Sequence, residues 1–585
     1  MIRKKMFKLL CELLSVFLII PIMQCDPHIM KQTNNGPVEG IEQTGFLGRK
    51  YYAFRGVPYA EIPITGIDPY TGAEVDRRFK PTVPLTRRWT EALKVYEYAD
   101  GCITSTKFLP KITKTSENCL FLNIYVPDGG SEKKTVMVYI HGGGFTEGTA
   151  TDLLYGPDFL IEVDNIFVTL NYRLGIFGFM NLGFGEYTGN MGLKDQQVAL
   201  KWIYENIEYF SGNKNEILLF GESAGGASVN YHMLNEESRK YFNRAFAMSS
   251  SALNFYALYE PNHLEIMQNF SNIQDKDKLI EHLKKEDSAI LEQFRSTTSR
   301  GLVLLQSPWV PTIENSTTKG AFITESPEEI YKSKAPVMDT LFSFTSQEYV
   351  TFNANLTRNT EPFLSGNWNE SKLLLPFAGF DKEIYPEEYK KAFEALKNAY
   401  FNDTSNIDAI KRGNIALLSD MNFGYNILKA VQYQVKANNK GNTKRNTFLQ
   451  RFSVNADINL FKQLMQLNYD GASHGEDVCF ICCCHLLNRL GIYEKNLIIK
   501  DNSNINYNAI MRMVNIVTNF AKTGNPSIEG DTPFKSSTST EEIFSQDITN
   551  DSKTTLVTDI MDQLHFDTWK EIEDTYKIIK ATHTE

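Results

Sequence analysis

The chain has 585 residues, of which 42% are hydrophobic, 12% aromatic and 22% charged. This composition is typical of a globular protein with a large core, and it excludes a disordered chain, a collagen and a coiled coil. The 70 acidic residues outnumber the 60 basic ones, giving a net charge of −10, which argues against nucleic-acid binding because that usually needs a basic face.

The first 25 residues are typical of a signal peptide. A basic head precedes an apolar run at residues 13–20, which Pro21 ends. This run is shorter than the roughly 20 apolar residues that a membrane span needs, although an uncleaved anchor is the alternative. No other stretch is predicted to cross a bilayer. We expect residues 1–25 to be removed and residues 26–585 to form one secreted, extracellular domain without stable membrane insertion.

Export predicts glycosylation and disulfides. Cys102 and Cys119 enclose a short polar loop, and a disulfide across it would stabilise the fold by roughly 3 kcal/mol. Six sequons predict glycosylation sites at Asn269, Asn315, Asn355, Asn369, Asn402 and Asn550.

Four further cysteines crowd one segment next to His485, at positions 479, 482, 483 and 484. A metal site is one interpretation of this cluster. However, the ligands lack the paired spacing of zinc sites, and apolar residues surround them. We therefore expect buried structural thiols at Cys479, Cys482, Cys483 and Cys484, and no metal.

The first half of the chain alternates short apolar runs with helical patterns. Residues 136–140, 166–170 and 217–220 are typical of buried strands, and residues 196–207 have helical spacing. This rhythm predicts an α/β protein with a largely parallel sheet. Residues 260–459 are richer in charged and Asn-containing helical stretches. One buried run at 336–344 interrupts them, so we expect helical cover over the sheet rather than a separate domain.

Ser223 lies in the string Gly221-Glu222-Ser223-Ala224-Gly225, between a predicted strand and a predicted helix. A serine on such a sharp turn is held exposed, and the helix N-terminus favours a developing anion. A glycine-rich turn with an idle serine is the alternative. The setting predicts a nucleophile.

The string His141-Gly142-Gly143-Gly144-Phe145 follows another predicted strand. Glycines let the backbone approach a substrate and turn N–H groups toward it, as acyl transfer requires for its oxyanion. The expected donors are the amides of Gly143, Gly144 and Ala224. A phosphate site is the alternative, but the glycine spacing of nucleotide-binding turns is missing.

A serine nucleophile needs a base and an orienting acid, in the chain order Ser, acid, His. His474 lies in a loop of small residues and is the expected base; the six other histidines after Ser223 lie on the following helix, before the acid, among the thiols or in the tail. Glu348 follows the run at 336–344 and is the expected acid. Asp339 is the alternative acid, although it falls inside that predicted strand.

With these residues in place, the chain resembles the type-B carboxylesterase/cholinesterase family, and most closely its secreted arthropod members. The likeness runs from about Tyr52 to Trp569. Its specific strings are RGVPYA at 55–60, ENCLFLN at 117–123, HGGGF at 141–145, NYRLG at 171–175, GNMGLKDQ at 189–196 and GESAG at 221–225.

The resemblance implies an α/β-hydrolase fold: a mostly parallel mixed sheet flanked by helices, with large helical insertions over an active-site gorge. It implies a Ser223–Glu348–His474 triad, an oxyanion hole at Gly143, Gly144 and Ala224, and no cofactor. It also implies a Cys102–Cys119 disulfide and an Arg78–Glu117 ion pair. Glu222 and Ser249 would lie directly behind the triad.

The chain departs from the family at three points. Tyr349 stands where the family usually has glycine after the acid. The loop between Cys102 and Cys119 has no tryptophan, which argues against choline esters. Relatives that hydrolyse juvenile hormone typically have Gln before the nucleophile, so Glu222 disfavours that substrate.

We therefore predict a secreted serine esterase that hydrolyses small-molecule carboxylic esters through an acyl-enzyme. The alternative is a ligand-sequestering or adhesion-type binding protein with slow or no turnover. A burst of one product equivalent followed by slow turnover would indicate sequestration. The sequence leaves the oligomeric state and the physiological substrate open.

Overall fold

A computed structural model describes residues 28–104, 114–130, 132–259, 262–292, 307–353, 384–403, 406–440, 444–497, 499–501, 503–551 and 553–582. The signal sequence predicted at residues 1–25 and the sequons at Asn355 and Asn369 lie outside these ranges. The other four sequon asparagines, Asn269, Asn315, Asn402 and Asn550, are exposed.

The strands of the described residues are β1 (His28–Gln32), β2 (Pro37–Thr44), β3 (Lys50–Pro58), β4 (Thr65–Ile67), β5 (Glu74–Asp76), β6 (Leu93–Lys94), β7 (Gly101–Cys102), β8 (Thr115–Ser116), β9 (Phe121–Pro127), β10 (Lys134–Ile140), β11 (Ile166–Leu170), β12 (Asn181–Phe184), β13 (Tyr187–Thr188), β14 (Gly212–Glu222), β15 (Arg244–Met248), β16 (Thr340–Thr345), β17 (Thr447–Phe452), β18 (Ser545–Ile548) and β19 (Thr555–Val557).

The α-helices of these ranges are Asp152–Tyr155, Asp158–Glu162, Gly175–Phe179, Met191–Asn206, Ala224–Leu234, His263–Ser271, Lys276–Lys285, Ser288–Glu292, Pro327–Lys334, Pro386–Tyr400, Ile407–Ser419, Tyr425–Lys440, Leu460–Met465, His485–Arg489, Ile492–Asn496, Ile505–Thr523, Ile560–Gln563 and Phe566–Thr582. Short 3-10 helices span Ile207–Phe210, Ser238–Tyr241, Glu348–Asn353 and Glu476–Phe480, and a π-helix spans Asp420–Gly424. None of the described helices is both long and apolar enough to cross a membrane.

One large sheet organises the fold. Its strands follow the order β1-β2-β3-β9-β11-β10-β14-β15-β16-β17-β18-β19, with β6 beside β2. In this order, the six successive pairs from β11 through β10, β14, β15, β16 and β17 to β18 are parallel. The pairs on either side of them are antiparallel, and the short β6 pairs with β2 in parallel. Because parallel strands end at the same edge, the segments that follow β10, β14 and β16 meet there.

Two hydrophobic clusters cover the two faces of this sheet. One contains Ala227 and Val229 from the helix after β14. The other contains Ile510 and Val514 from the helix Ile505–Thr523. The central strands β10, β11 and β14 are buried along most of their length, as expected for parallel strands covered on both faces. Helices therefore cover both faces of the sheet, and the site can form only at its carboxyl edge, where the strands end.

The structure corrects two strand predictions in the second half of the chain. The strand predicted at 336–344 begins only at Thr340, so Asp339 precedes β16 instead of lying within it. Within the segment assigned to helical cover, β17 is a full member of the sheet. Its sequence, TFLQRF, carries Gln450 and Arg451, and these polar residues hide the apolar run that marks a buried strand.

Candidate active site

Ser223 occupies the sharp turn between β14 and the helix Ala224–Leu234. Its backbone has φ 59° and ψ −126°, a strained conformation for a residue other than glycine. The Ser223 N–H donates to the carbonyl of Met248 on β15 at 2.9 Å. A Cβ atom at Gly225 would lie 2.0 Å from the Ile140 carbonyl oxygen, so only glycine lets the helix start this close to β10. The fold therefore fixes Ser223 at the carboxyl edge of the sheet.

Glu348 and His474 form a direct contact at the same edge. Glu348 opens the 3-10 helix after β16, and its Oε1 accepts a 2.7 Å hydrogen bond from the Thr345 N–H. Its Oε2 lies 2.6 Å from Nδ1 of His474. Both residues are buried, at 1% and 7% exposure. This contact holds the imidazole so that Nε2 points away from Glu348.

Nε2 of His474 lies on the side of the nucleophile turn. It is 3.1 Å from Oε1 of Glu222, the residue before Ser223. The geometry of this contact is not that of a hydrogen bond, and among the described residues neither atom has a hydrogen-bond partner. Catalytic hydrogen bonds are often long before substrate binds. Nε2 is thus placed beside the turn that carries Ser223.

The charges around His474 set its basicity. Burial lowers the pKa of His474, but the carboxylates of Glu222 and Glu348 raise it more, so that it is about 9 instead of 6.5. Burial raises the pKa of Glu222 to about 7; His474 opposes this change and Glu348 adds to it. The two groups are therefore coupled: a charged Glu222 favours the protonated imidazole, and the charged imidazole favours the ionised Glu222.

The glycine turn after β10 presents free donors. Gly143 and Gly144 have φ values of 111° and 59°, and within the described residues the N–H groups of Gly143, Gly144 and Ala224 donate to no acceptor. A Cβ at Gly142 would lie 3.0 Å from Cβ of Ser223, so this turn runs directly beside the serine. Such free amides next to a nucleophile suit an oxyanion.

Ser249 and Tyr256 lie behind the serine. Ser249 is fully buried and its N–H donates to the Ser343 carbonyl at 2.8 Å. The Tyr256 hydroxyl donates to Oγ of Ser250 at 2.6 Å. Burial raises the pKa of Tyr256, while its hydrogen bonds with Ser250 and Ser223 act in the opposite direction. Tyr256 therefore contacts the nucleophile turn as well.

Aromatic rings and two acids complete the site, and the sequence did not reveal their roles. The rings of Phe352 and Phe423 lie 5.1 Å and 4.6 Å from the His474 ring. Glu476 accepts hydrogen bonds from the N–H groups of Ser473 and Lys462. Asp477 is fully buried, and burial raises its pKa well above the usual range. Both acids closely follow His474 in the sequence, and this proximity was the one feature that could have pointed to them. No sequence feature pointed to Phe423.

Other predicted pairs take the following places. The structure joins Cys102 to Cys119 through an S–S bond of 2.04 Å. Arg78 is paired with Glu117, and its guanidinium also donates to three carbonyls at the end of the helix Lys276–Lys285. Asp339, the alternative acid, pairs with Arg445 at 3.0 Å. Asp339 precedes β16, whereas the site follows the carboxyl end of that strand. Asp339 therefore lies at the opposite edge of the sheet, and its prediction as the alternative acid is wrong.

The prediction of four structural thiols is wrong for two of them. Cys479 and Cys484 form a disulfide, with 5.3 Å between their Cα atoms, while Cys482 and Cys483 are free and buried. The 3-10 helix Glu476–Phe480 and the turn after it bring two cysteines together that are five positions apart. The spacing of the cysteines in the sequence did not predict that the chain turns back and brings Cys479 next to Cys484.

Comparison with known proteins places the chain in a family. A model described as the Carboxylesterase family matches residues 27–569. Esterase E4 of Myzus persicae is 30% identical over 529 residues, which cover 85% of this chain and 87% of the relative. Juvenile hormone esterase of Tribolium castaneum is 30% identical over 523 residues, which cover 85% and 84%.

A solved structure shares the fold. The crystal structure of juvenile hormone esterase from Manduca sexta, with OTFP covalently attached, matches with a TM-score of 0.76 and 23% identity, covering 94% of this chain and all of that chain. The predicted family and the predicted α/β-hydrolase fold are confirmed. The chain belongs to the carboxylesterase family, and it is a carboxylic ester hydrolase.

Proposed function

We propose that this protein is a secreted serine esterase that works through Ser223, His474 and Glu348. The contact of 2.6 Å between Glu348 Oε2 and His474 Nδ1, beside the strained Ser223 turn, is the observation that carries the proposal. Glu348 orients the imidazole and stabilises its charged form. Nε2 then takes the proton of the Ser223 hydroxyl.

The covalent steps follow from this arrangement. Oγ of Ser223 attacks the ester carbonyl, and the oxyanion accepts hydrogen bonds from the amides of Gly143, Gly144 and Ala224. His474 gives its proton to the leaving alcohol, and an acyl-enzyme remains on Ser223. Water, deprotonated by His474, then attacks the acyl carbonyl; the bond to Oγ breaks, the carboxylic acid leaves, and His474 returns the proton to Ser223. These steps need no metal and no cofactor.

The surroundings of His474 favour uncharged, apolar esters. Phe352 and Phe423 border the imidazole, and Glu222 and Asp477 add acidic groups with raised pKa values. An anionic substrate would be repelled whenever Glu222 is charged. Juvenile hormone is named in the relatives above, but Glu222 stands where such esterases typically have Gln, so we do not propose it as the substrate.

Export is part of the same proposal. A signal-like segment at residues 1–25 precedes the described part of the chain. Two disulfides and four exposed sequon asparagines, Asn269, Asn315, Asn402 and Asn550, are typical of a secreted glycoprotein.

Hydrolysis of p-nitrophenyl esters with acyl chains of increasing length tests the proposal. We expect steady turnover by the wild type and loss of turnover in Ser223→Ala, because no other group replaces the attacking hydroxyl. Ser228→Ala is the matched control, since Ser228 lies one turn further along the same helix and its hydroxyl donates to the Ala224 carbonyl. Undiminished turnover in Ser223→Ala would refute the proposal.

A further inference from the structure

Outside the esterase site, Asp158, Cys483 and His485 converge. Each offers one ligand atom, and these atoms all lie within 4.8 Å of one another. Asp158 opens the helix Asp158–Glu162, and His485 opens the helix His485–Arg489. The side chain of Asp158 is 4% exposed and that of His485 is 26% exposed, so the cluster lies near the surface on the side of the imidazole.

Two of the three side chains are oriented by a contact outside the cluster. Oδ1 of Asp158 accepts a 2.6 Å hydrogen bond from the Phe46 N–H, while Oδ2 faces Nε2 of His485 at 2.8 Å. Nδ1 of His485 lies 3.4 Å from Oδ2 of Asp152. A carboxylate at Nδ1 fixes the tautomer of a histidine whose Nε2 binds metal, and it raises the basicity of that nitrogen.

The third side chain is positioned through the backbone. Gly156 and Cys483 exchange two backbone hydrogen bonds of 3.0 Å, which hold the cysteine beside Asp158. A Cβ at Gly156 would lie 2.9 Å from Nε2 of His485 and 3.0 Å from Oδ2 of Asp158. Any side chain at position 156 would therefore crowd both of these ligand atoms.

We propose that Asp158, Cys483 and His485 form a binding site for a divalent transition-metal ion, Zn²⁺ foremost. A thiolate, an imidazole and a carboxylate are the donors of zinc sites, whereas Ca²⁺ and Mg²⁺ prefer oxygen alone. Ligand atoms around tetrahedral zinc lie about 3.3–3.7 Å apart, so the Nε2–Oδ2 pair separates slightly as the ion enters. Water fills the fourth position.

Binding exchanges protons for the ion. The Cys483 thiol loses its proton to become a thiolate ligand, and a protonated His485 loses the proton that it shares with Asp158.

The spacing of the cysteines could not reveal this site, because Asp152 and Asp158 come from more than 300 positions earlier in the chain. Of the cysteines around position 480, Cys483 is a ligand, and the Cys479–Cys484 disulfide removes two competing thiols.

Cobalt binding tests the site directly. Full-length protein, secreted with its disulfides intact and without a histidine tag, is stripped with EDTA and titrated with Co²⁺. We expect one Co²⁺ per chain, a thiolate-to-cobalt charge-transfer band, and loss of that band when Zn²⁺ is added. If Co²⁺ added to the stripped wild type gives no such band, or binds only in trace amounts, the proposal is overturned.

Matched variants locate the ligands. Cys483→Ala should lose the charge-transfer band, whereas Cys482→Ala should keep it, because Cys482 is the neighbouring buried free thiol outside the cluster. Asp152→Asn should weaken binding about 10–100-fold without removing the band, as loss of an orienting carboxylate does. Ester turnover and thermal unfolding report whether each variant is folded. A band that survives in a folded Cys483→Ala, or one that disappears in a folded Cys482→Ala, would refute the assignment.

Discussion

At the scale of single residues, His474 stands between two carboxylates. Glu348 contacts Nδ1 and Glu222 lies beside Nε2. In the proposed mechanism hydrolysis needs the neutral imidazole, so the rate should rise with pH through the pKa of His474. Since both carboxylates raise this pKa to about 9, the rise should fall well above the value of a free histidine, which is near 6.5.

Glu222→Gln separates the contribution of Glu222 from that of Glu348. The variant removes a negative charge near Nε2 while keeping the shape of the side chain. The pKa of His474 should fall, and the rise of kcat/KM should move to lower pH; a pH–rate profile of the two proteins measures this. Glu205→Gln, at an exposed position of the helix Met191–Asn206, removes a negative charge away from His474 and controls for a general charge effect. A midpoint that stays in place would contradict the electrostatic account.

Asp477 carries a second prediction that depends on pH. Burial raises its pKa far above the usual 3.8, so the native state keeps a proton that the unfolded chain loses. The contribution of Asp477 to stability therefore falls as pH rises above about 4. Asp477→Asn removes this titration. The free energy of unfolding of the variant, relative to the wild type, should increase from pH 5 to pH 8 in denaturant titrations. A difference independent of pH would count against a neutral Asp477.

At the scale of elements, the loop that carries His474 is tied down by Glu476. Its carboxylate accepts hydrogen bonds from the backbone N–H groups of Ser473 and Lys462 and from the side chains of Asn459 and Tyr469. The Gln347 N–H also donates to the Ala472 carbonyl, which fastens this loop to the segment before Glu348. The position of the base therefore depends on Glu476, although Glu476 does not touch Ser223.

Removal of this anchor should displace His474. Glu476→Ala should lower kcat/KM by about 10²-fold, because displacements near 1 Å cost that much at an active site. Glu476→Gln should be less impaired, since its amide oxygen keeps part of the accepting capacity. Because Glu476 acts through the loop, kcat should fall more than KM rises. Equal activity of the Ala variant and the wild type would show that the loop is held by other contacts.

The Cys102–Cys119 disulfide closes a loop with a sequence separation of 17. The chain-entropy model assigns about 3 kcal/mol to a loop of this length. The double variant Cys102→Ser/Cys119→Ser should lose that amount of unfolding free energy in denaturant titrations, with activity retained at low temperature. Unchanged stability would indicate that the unfolded chain is not restricted by this bridge.

At the scale of the whole molecule, the parallel centre of the sheet was predictable and its margins were not. The observed β11 coincides with residues 166–170, and β10 and β14 contain the predicted runs. These strands are buried on both faces and show as continuous apolar runs. The first three strands and β17 mix polar and apolar residues, so a single sequence did not reveal them. Their place depends on partners that are distant in the chain.

The same contrast between local motifs and contacts that are distant in the chain explains which parts of the site were predictable. The positions of Ser223 and of the glycine turn were predictable, because each is a local motif at the end of one strand; their catalytic roles stay predictions. Glu348 and His474 were inferred from chain order. They meet because backbone hydrogen bonds join the loop after β16 to the loop that carries His474. Phe352 and Phe423 border the imidazole only through the packing of separate helices, and no local pattern marks such contacts.

Covalent labelling tests the central claim, that His474 activates Ser223 for attack. The protein is incubated with an organophosphate that releases p-nitrophenol, and the labelled peptide is identified by mass spectrometry. We predict one p-nitrophenol released per chain, the phosphoryl group on Ser223, and a far slower labelling rate in His474→Ala. A label on another residue, or labelling of Ser223 at the wild-type rate in His474→Ala, would contradict the account.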